Sequence, residues 1–338
     1  MKPRVVLVGH GLWGKNIARN LSSLGALHGV CDSDRAALSN AEKLYRGTGT
    51  YSTFGEVLQD SSVDAVAIST DAHVHADLSV QAMEAGKDVF VEKPLALTFN
   101  DGKRVVKSAE RLGRILMVGH LLEYHPAVTT LTELVREGGL GKLQYIYSNR
   151  LNLGRFRREE NALWSFAPHD IAVILRLVGE SPIEVLATGG AYIQPNVADT
   201  TVTNLLFDNG LRAHIFVSWL HPVKEQRLVV VGSKKMAVFD DRAPEGEKLV
   251  IFDQGATWVD NVPQPRVADG MSVEYVPKQP LLIEMEHFLE CIETRRQPET
   301  DGMSGLRVLQ VLQAAQRSLQ MGGNRVTLND YVSSIAVL

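Results

Sequence analysis

Three glycines and an acidic residue near the start of the chain have the spacing of a phosphate-binding loop. Gly9, Gly11 and Gly14 follow the apolar run 5–8, and Asp32 ends the next apolar stretch. Such glycines allow a tight turn, close approach of a pyrophosphate and close helix packing, and the acid suits ribose hydroxyls. The pattern predicts a dinucleotide site, although glycine loops also serve as plain turns. The predicted cofactor contacts here are Gly9, His10, Gly11, Leu12, Trp13, Gly14 and Asp32.

A second candidate for chemistry is a lysine at the end of a buried strand. The apolar run 89–91 leads into Glu92, Lys93 and Pro94. Proline ends the strand and fixes the backbone next to the lysine. Strand ends at this edge of a parallel sheet face the cofactor crevice, so we expect Lys93 to reach a substrate there. The other interpretation is an ordinary surface lysine, which is the usual fate of this residue type.

A histidine in the second half of the chain is a candidate general base. His169 follows Pro168 and comes just before the apolar segment 171–178. Proline is tolerated in a first helical turn, so the sequence predicts that His169 lies near a helix N-terminus. The positive end of the helix dipole favours the neutral imidazole that a general base needs. The alternative is a histidine that only caps the helix.

An arginine-rich loop precedes this histidine. Arg150, Arg155, Arg157 and Arg158 cluster around Gly154. Because arginine suits planar carboxylate and phosphate groups, the loop predicts an anionic substrate if one or two of these side chains reach the cleft. A solvated charged loop explains the same composition equally well.

The elements that position these residues divide into two halves. Strand and helix patterns alternate from residue 4 to about 119, which predicts a doubly wound parallel sheet of the Rossmann type. Asp208-Asn209-Gly210 then precedes a strand of alternating apolar residues, and further long strands follow, which predicts an α+β domain with a large open, mostly antiparallel sheet. We expect domains at 1–122 and 123–338, with the active site between them.

The composition limits the classes of protein to which the chain can belong. Its 338 residues suit two domains, and contents of 45% hydrophobic and 22% charged residues are ordinary globular values. A formal net charge of -4 gives no reason to expect nucleic acid or a membrane surface as a partner. Two cysteines, with no signal peptide and no apolar run of membrane length, predict a reduced cytoplasmic setting.

Five motifs occur along the chain in the order typical of one known family. They are the glycine loop, Asp32, Ser69-Thr70 with His75, Glu92-Lys93-Pro94 and His169-Asp170. Together they resemble the glucose-fructose oxidoreductase and inositol dehydrogenase family (Gfo/Idh/MocA). The likeness covers nearly the whole chain in layout, and the segment 82–96 is its most specific part.

The resemblance implies oxidation or reduction of a hydroxyl or ketone with NAD(P), on a sugar, a cyclitol or a related compound. Combined with arginines that reach the cleft, it implies a uronate, a sugar phosphate or a nucleotide sugar. It implies that Lys93 and His169 line the catalytic site, where His169 takes the hydroxyl proton and Lys93 stabilises developing charge. It adds the cofactor contacts Ser69, Thr70, His75, Glu92 and Lys93. The predicted substrate contacts are Lys93, Tyr124, Arg155, Arg157, Trp164 and His169.

Two positions depart from the family pattern. The inositol dehydrogenase pattern has an aspartate four residues before the histidine, where this chain has Ser165, which argues against inositol as the substrate. Asp71 stands where the family commonly has proline, and we expect it to cap a helix that starts near Ala72. At Tyr124, pocket lining and simple packing fit equally well.

The sequence thus predicts an NAD(P)-dependent oxidoreductase. NAD is the expected cofactor because Asp32 should repel the 2′-phosphate of NADP, which is the alternative cofactor. A non-catalytic NAD(P)-binding regulator and a reductase of non-sugar carbonyl compounds are the rival functions; both Lys93 and His169 are present, which favours the enzyme. No metal is expected, since His73 and His75 cannot share a helix face. The half-apolar face of the antiparallel sheet predicts a homodimer or homotetramer.

Overall fold

The chain forms two compact units in a computed structural model, which describes residues 2–328. The first unit comprises the described chain up to Leu121 together with Gln279–Leu309. The second comprises Leu122–Lys278 and the described chain from Gln310 on. The sequence predicts a single domain boundary at residue 122. In the structure the segment 279–309, which the sequence assigned to the second domain, belongs to the first unit. The end of the predicted second domain, residues 329–338, lies outside the described residues.

A six-stranded sheet forms the centre of the first unit. Its strands lie parallel in the order β3-β2-β1-β4-β5-β6, which confirms the predicted doubly wound sheet. The strands are β1 Val5–Val8, β2 Leu27–Cys31, β3 Gly49–Tyr51, β4 Ala65–Ile68, β5 Asp88–Glu92 and β6 Leu116–Gly119. The helices up to β6 are α1 Gly14–Ser23, α2 Arg35–Leu44, α3 Phe54–Gln59, α4 His75–Glu84 and α5 Phe99–Leu112.

The central strands of this sheet are apolar along their whole length. All residues of β1 and β4 are buried, as expected where helices cover both faces of a parallel sheet. Thr98 caps α5 by accepting a hydrogen bond from the Asp101 N–H, and Gly113 ends the helix in the left-handed conformation. These buried strands fix the edge at which the glycine loop, Thr70 and Lys93 follow their strands.

A nine-stranded sheet forms the second unit. Its order is β16-β13-β12-β11-β7-β10-β9-β8-β17; β7 and β10 pair parallel and the other pairs described are antiparallel, which confirms the predicted mostly antiparallel sheet. Its strands are β7 Leu143–Leu153, β8 Glu184–Gly190, β9 Thr200–Leu206, β10 Arg212–Ser218, β11 Leu220–Gly232, β12 Met236–Asp240, β13 Leu249–Phe252, β16 Gly270–Ser272 and β17 Val326–Thr327. A separate hairpin joins β14 Gly255–Val259 and β15 Val262–Arg266. The remaining helices are α6 Pro126–Arg136, α7 Ala162–Val178, α8 Pro280–Thr294 and α9 Gly302–Gln320.

The two faces of the nine-stranded sheet differ. Ala213, Ile215 and Val217 of β10 are buried, and α7 packs against β10, β7 and β9. On the alternate positions of the sheet, His214 stacks on Tyr147 with ring centroids 5.4 Å apart, and both rings are only partly buried. Asp208-Asn209-Gly210 forms the hairpin turn between β9 and β10, with Gly210 in the left-handed region that the turn requires. One face therefore carries α7, and the other presents aromatic side chains.

Candidate active site

The three glycines of the loop after β1 have different surroundings. A Cβ added at Gly9, where φ is +94°, would lie 2.6 Å from the Ser69 carbonyl oxygen, and one added at Gly14 would lie 2.0 Å from the Gly9 carbonyl oxygen. A Cβ added at Gly11 would meet no atom within 4 Å. Gly9 and Gly14 therefore allow the loop and α1 to pack, whereas Gly11 leaves a cradle open for a phosphate.

Asp32 joins the glycine loop to the end of β2. Its Oδ2 accepts a hydrogen bond of 2.7 Å from the His10 N–H, and its Oδ1 accepts one of 2.9 Å from the Asp34 N–H. The carboxylate keeps further lone pairs for ribose hydroxyls. The His10 ring is buried 3.2 Å from the Ala37 carbonyl oxygen, and this burial lowers its pKa. His10 thus contributes its backbone to the loop, while its imidazole packs beneath it.

Trp13 links the loop to the end of β5. Its indole Nε1–H donates a hydrogen bond of 2.5 Å to Glu92 Oε1, and Leu12 beside it is 79% exposed. Burial raises the pKa of Glu92 to about 7, although Trp13 and Lys93 act in the opposite direction. Gly119 of β6 permits this arrangement, because a Cβ there would lie 3.2 Å from Glu92 Oε1.

His75 supports two strand-end segments. Its ring nitrogens lie 2.8 Å from the Pro94 carbonyl oxygen and 3.2 Å from the Thr70 carbonyl oxygen. The ring is buried, and burial lowers its pKa, so a neutral imidazole is favoured. Ser69 meanwhile packs its carbonyl against Gly9. These predicted cofactor contacts therefore meet at one sheet edge, with the His75 ring directed at protein backbone.

Two strand ends bring a lysine and a histidine together. Lys93 follows β5, and His120 follows the neighbouring β6, in which Gly119 pairs with Glu92. His120 is buried, and burial together with the charge of Lys93 lowers its pKa to about 3. Within residues 2–328, neither ring nitrogen of His120 has a hydrogen-bond partner. Sequence reasoning missed His120, although its place as the first side chain beyond the apolar run 115–118 was a usable signal.

The predicted position of His169 at a helix N-terminus is wrong. The helix α7 begins at Ala162, where Asn161 caps it by accepting a hydrogen bond from the Trp164 N–H. His169 lies about two turns into the helix, and Pro168 is an interior residue. Because the dipole effect falls off within the first turn, it does not act on this imidazole.

A buried ion pair holds the segment of α7 that carries His169. Arg150 of β7 donates to the Asp170 carboxylate through Nε at 2.9 Å and Nη2 at 3.2 Å, and Ser148 Oγ donates to it at 2.6 Å. The side chains of Arg150 and Asp170 are 14% and 2% exposed. Arg150, one of the four arginines grouped in the sequence, is therefore committed to Asp170, and the pair fixes α7 on the sheet.

The other predicted substrate contacts in this unit are spread out. Arg155 and Arg157 are exposed, and Arg157 Nε lies 2.8 Å from Glu160 Oε1. The Trp164 indole N–H donates to Gln316 Oε1 at 3.1 Å, and Tyr124 is buried. The loop carries three exposed arginines, Arg155, Arg157 and Arg158, whereas Trp164 is partly buried and Tyr124 is buried.

Asp71 precedes a helix that starts at Ala72, as predicted, but its side chain does not cap that helix. A short 3-10 helix, Ala72–Val74, follows Asp71, whose side chain makes no capping hydrogen bond. No group of three His, Cys, Asp or Glu side chains among residues 2–328 is arranged to hold a metal ion. None of the helices in that same range is long and apolar enough to span a bilayer.

Comparisons with known proteins agree with this geometry. Residues 3–120 match the family described as "Oxidoreductase family, NAD-binding Rossmann fold", and residues 128–238 match the "GFO/IDH/MocA C-terminal domain". The chain belongs to the Gfo/Idh/MocA family. The family resemblance and the prediction of an NAD(P)-dependent oxidoreductase are thereby confirmed.

Individual relatives cover almost the whole chain. UDP-N-acetylglucosamine 3-dehydrogenase of Acidithiobacillus ferrooxidans is 29% identical over 317 residues, which are 91% of this chain and 94% of the relative. Its solved structure superposes with a TM-score of 0.83 at 25% identity, covering 94% of this chain and 98% of that one. Myo-inositol 2-dehydrogenase of Thermotoga maritima is 24% identical, covering 94% of this chain and 96% of the relative.

The residues of the first unit fit the cofactor of this family. The open cradle at Gly11, the N-terminus of α1 and the Asp32 carboxylate together offer what a pyrophosphate and a ribose require. The predicted cofactor, NAD, is that of the matching family description.

Proposed function

We propose that the chain is a dehydrogenase of a sugar-like alcohol, or a reductase of the matching ketone, in which Lys93 and His169 carry the chemistry. The observation that carries this proposal is the shared edge of the first sheet. Gly9 follows β1, Thr70 lies just beyond β4 and Lys93 follows β5, and these three strands are neighbours. A parallel sheet binds its ligands at this edge, so Lys93 stands beside the nicotinamide half of a dinucleotide that lies on the loop.

The proposed roles of the two side chains are complementary. In the oxidation direction, His169 accepts the proton of the substrate hydroxyl. Lys93 Nζ donates a hydrogen bond to the same oxygen and stabilises the negative charge that develops there. Bound NAD supplies the nicotinamide ring that exchanges a hydride with the substrate carbon. The pair Arg150–Asp170 orients His169 by holding α7 on β7.

Alanine variants test this assignment. Lys93→Ala and His169→Ala should each slow turnover about 100-fold or more, the usual scale for a positioned acid–base or oxyanion group, and both should still bind NAD. The double variant should lose less than the product of the single losses, because both residues act on one oxygen. Exposed residues of the same types, Lys107→Ala and His73→Ala, are matched controls. Parent-rate turnover in both single variants would place the chemistry elsewhere.

The substrate is proposed to carry an anionic group, as a nucleotide sugar does. The exposed Arg155 and Arg157 support this, and so does the relative that acts on UDP-N-acetylglucosamine. Reduction of NAD, followed by absorbance, should be faster with UDP-linked sugars than with the free sugars or with inositols. A preference for uncharged cyclitols would contradict the proposal.

The cofactor preference is proposed to be NAD over NADP. Asp32 is anchored by two backbone N–H groups at the end of β2, where its charge repels a 2′-phosphate. Titration should give a lower dissociation constant for NADH than for NADPH, and Asp32→Ala should narrow the difference. Tighter binding of NADPH to the parent protein would overturn this preference.

A homodimer or homotetramer through the open sheet face is proposed as the assembly. Val202 is 36% exposed on this face, and the stacked Tyr147 and His214 lie on it as well. Apolar and aromatic side chains on an uncovered face favour association. Val202→Asp should lower the molar mass measured by light scattering. An unchanged molar mass would show that this face is not the subunit interface.

A reduced, cytoplasmic setting is proposed for the protein. Cys31 and Cys291 are both buried free thiols, and burial raises the pKa of Cys31 to about 12 and that of Cys291 to about 11. Thiols with such pKa values resist oxidation because little thiolate forms. Both should react with a thiol reagent only after unfolding.

A further inference from the structure

We propose that His120 binds the nicotinamide end of the cofactor through a hydrogen bond from its imidazole to the ring carboxamide. The inference rests on the proposed function only in so far as NAD lies along the edge that carries Lys93. It assigns a new residue to that edge and concerns binding, so its test does not depend on turnover.

The position of His120 in the sheet supports the nicotinamide end. Asp32 follows β2, and His120 follows β6, four strands away in the order β2-β1-β4-β5-β6. Neighbouring strands lie about 4.8 Å apart, so roughly 19 Å separates the two strand ends across the sheet. Asp32 suits the adenosine ribose. A dinucleotide that starts there and crosses the glycine loop therefore directs its other end towards Lys93 and His120.

The surroundings of His120 indicate a ligand rather than a structural role. The residue is 1% exposed, and both its ring nitrogens lack a hydrogen-bond partner within the described chain. His75, equally buried in the same unit, has both ring nitrogens within hydrogen-bond distance of backbone carbonyl oxygens. Buried polar groups are almost always hydrogen-bonded, so an imidazole with two unused nitrogens at a ligand-binding edge indicates that the ligand supplies the partner.

The charge state of His120 matches a carboxamide. Burial and the neighbouring charge of Lys93 lower its pKa to about 3, so the ring is neutral at physiological pH. A neutral imidazole offers one N–H donor and one lone-pair acceptor. A carboxamide offers both a carbonyl acceptor and N–H donors, so it can pair with either nitrogen of a neutral imidazole, whereas a phosphate offers acceptors alone.

The test compares two ligands that differ only in the nicotinamide. ADP-ribose keeps the adenosine, the pyrophosphate and the second ribose of NAD. His120→Phe should raise the dissociation constant of NAD about tenfold, which corresponds to about 1.4 kcal/mol, and leave that of ADP-ribose within about twofold. His120→Gln, which retains a donor and an acceptor, should lose less NAD affinity than His120→Phe.

His28→Phe is the matched control. It makes the same substitution in the same sheet near the start of β2, where His28 Nε2 lies 3.0 Å from Ser62 Oγ. It should leave the ratio of the two dissociation constants unchanged. Thermal unfolding without ligand reports whether each variant folds, and His120→Leu replaces His120→Phe if the larger ring is not accommodated. Unchanged NAD binding, or equal losses for NAD and ADP-ribose, would overturn the proposal whatever the turnover of the parent protein.

Discussion

The two proposed catalytic side chains are positioned in different ways. Lys93 extends from the end of a buried parallel strand, in an edge built from close backbone approaches such as that of Gly14 to Gly9. His169 lies within a helix that side chains hold, chiefly through the bidentate pair of Arg150 and Asp170. Positions fixed by backbone geometry require particular residue types at short spacing. Positions fixed by side-chain pairs depend on residues far apart in the chain.

Breaking the buried ion pair is expected to have the largest effect. Arg150→Met leaves the Asp170 carboxylate buried with Ser148 as its remaining donor among the contacts described. The free energy of unfolding should fall by about 3 to 5 kcal/mol, which urea denaturation measures.

A companion variant separates charge from shape at this pair. Arg150→Met combined with Asp170→Leu removes both charges and should recover most of the lost stability. If Arg150→Met lowers the free energy of unfolding by less than about 0.5 kcal/mol, the pair does not hold α7. The contrast between a lysine positioned by backbone geometry and a histidine positioned by a side-chain pair would then be wrong.

Two glycine variants examine the backbone-built edge. Gly14→Ala forces a methyl group against the Gly9 carbonyl and should lower the free energy of unfolding by about 1 to 3 kcal/mol. Gly11→Ala meets open space, so its stability should stay near that of the parent, while its NAD affinity falls because the methyl group fills the cradle. Equal free energies of unfolding in the two variants would contradict the close contact at Gly14 and the open space at Gly11. Calorimetry measures both the stability and the NAD affinity.

Glu92 should give the first unit a distinct pH dependence of stability. Its pKa is about 7 in the fold against an ordinary value of 4.5, so the unfolded chain loses this proton at lower pH. The free energy of unfolding should therefore fall as pH rises from about 4.5 to about 7. Glu92→Gln should remove this part of the slope, while Glu84→Gln, an exposed carboxylate of α4, should not. Parallel pH profiles of the parent and Glu92→Gln would contradict the raised pKa.

The smallest effect on stability is expected in the arginine loop. Arg157 pairs with Glu160, and its side chain is 48% exposed, so Arg157→Ala should change the free energy of unfolding by less than about 1 kcal/mol. If the loop binds an anion, KM for a UDP-linked sugar should nevertheless rise. An unchanged KM in both Arg155→Ala and Arg157→Ala would return the loop to a solvated charged surface.

Much of the first unit is predictable from sequence, because its apolar runs form the buried strands and its glycines mark close backbone approaches over short spacings. The missed elements there are weakly patterned: β3 is three residues of edge strand, and α3 spans six residues. In the second unit, Pro168 led to the prediction of a helix that starts near His169, whereas α7 begins at Ala162 after its cap Asn161. The sequence did not separate Arg150 from the other arginines, because its partner lies twenty residues away on another element. The place of His120 after an apolar run marks a strand-end position in the sequence, but the burial of its unpartnered ring is visible only in three dimensions.

The contact between Trp13 and Glu92 makes the glycine loop optically observable. Indole emission responds to the charge and polarity of its hydrogen-bond partner, and this partner has a pKa of about 7. Trp13 is 41% exposed on the loop that would receive a pyrophosphate, whereas Trp219 is fully buried in the second unit. Each molecule thus contains a fluorophore on the loop proposed to bind the dinucleotide, and emission from Trp13 would report protonation of Glu92 and binding of the ligand without an added label.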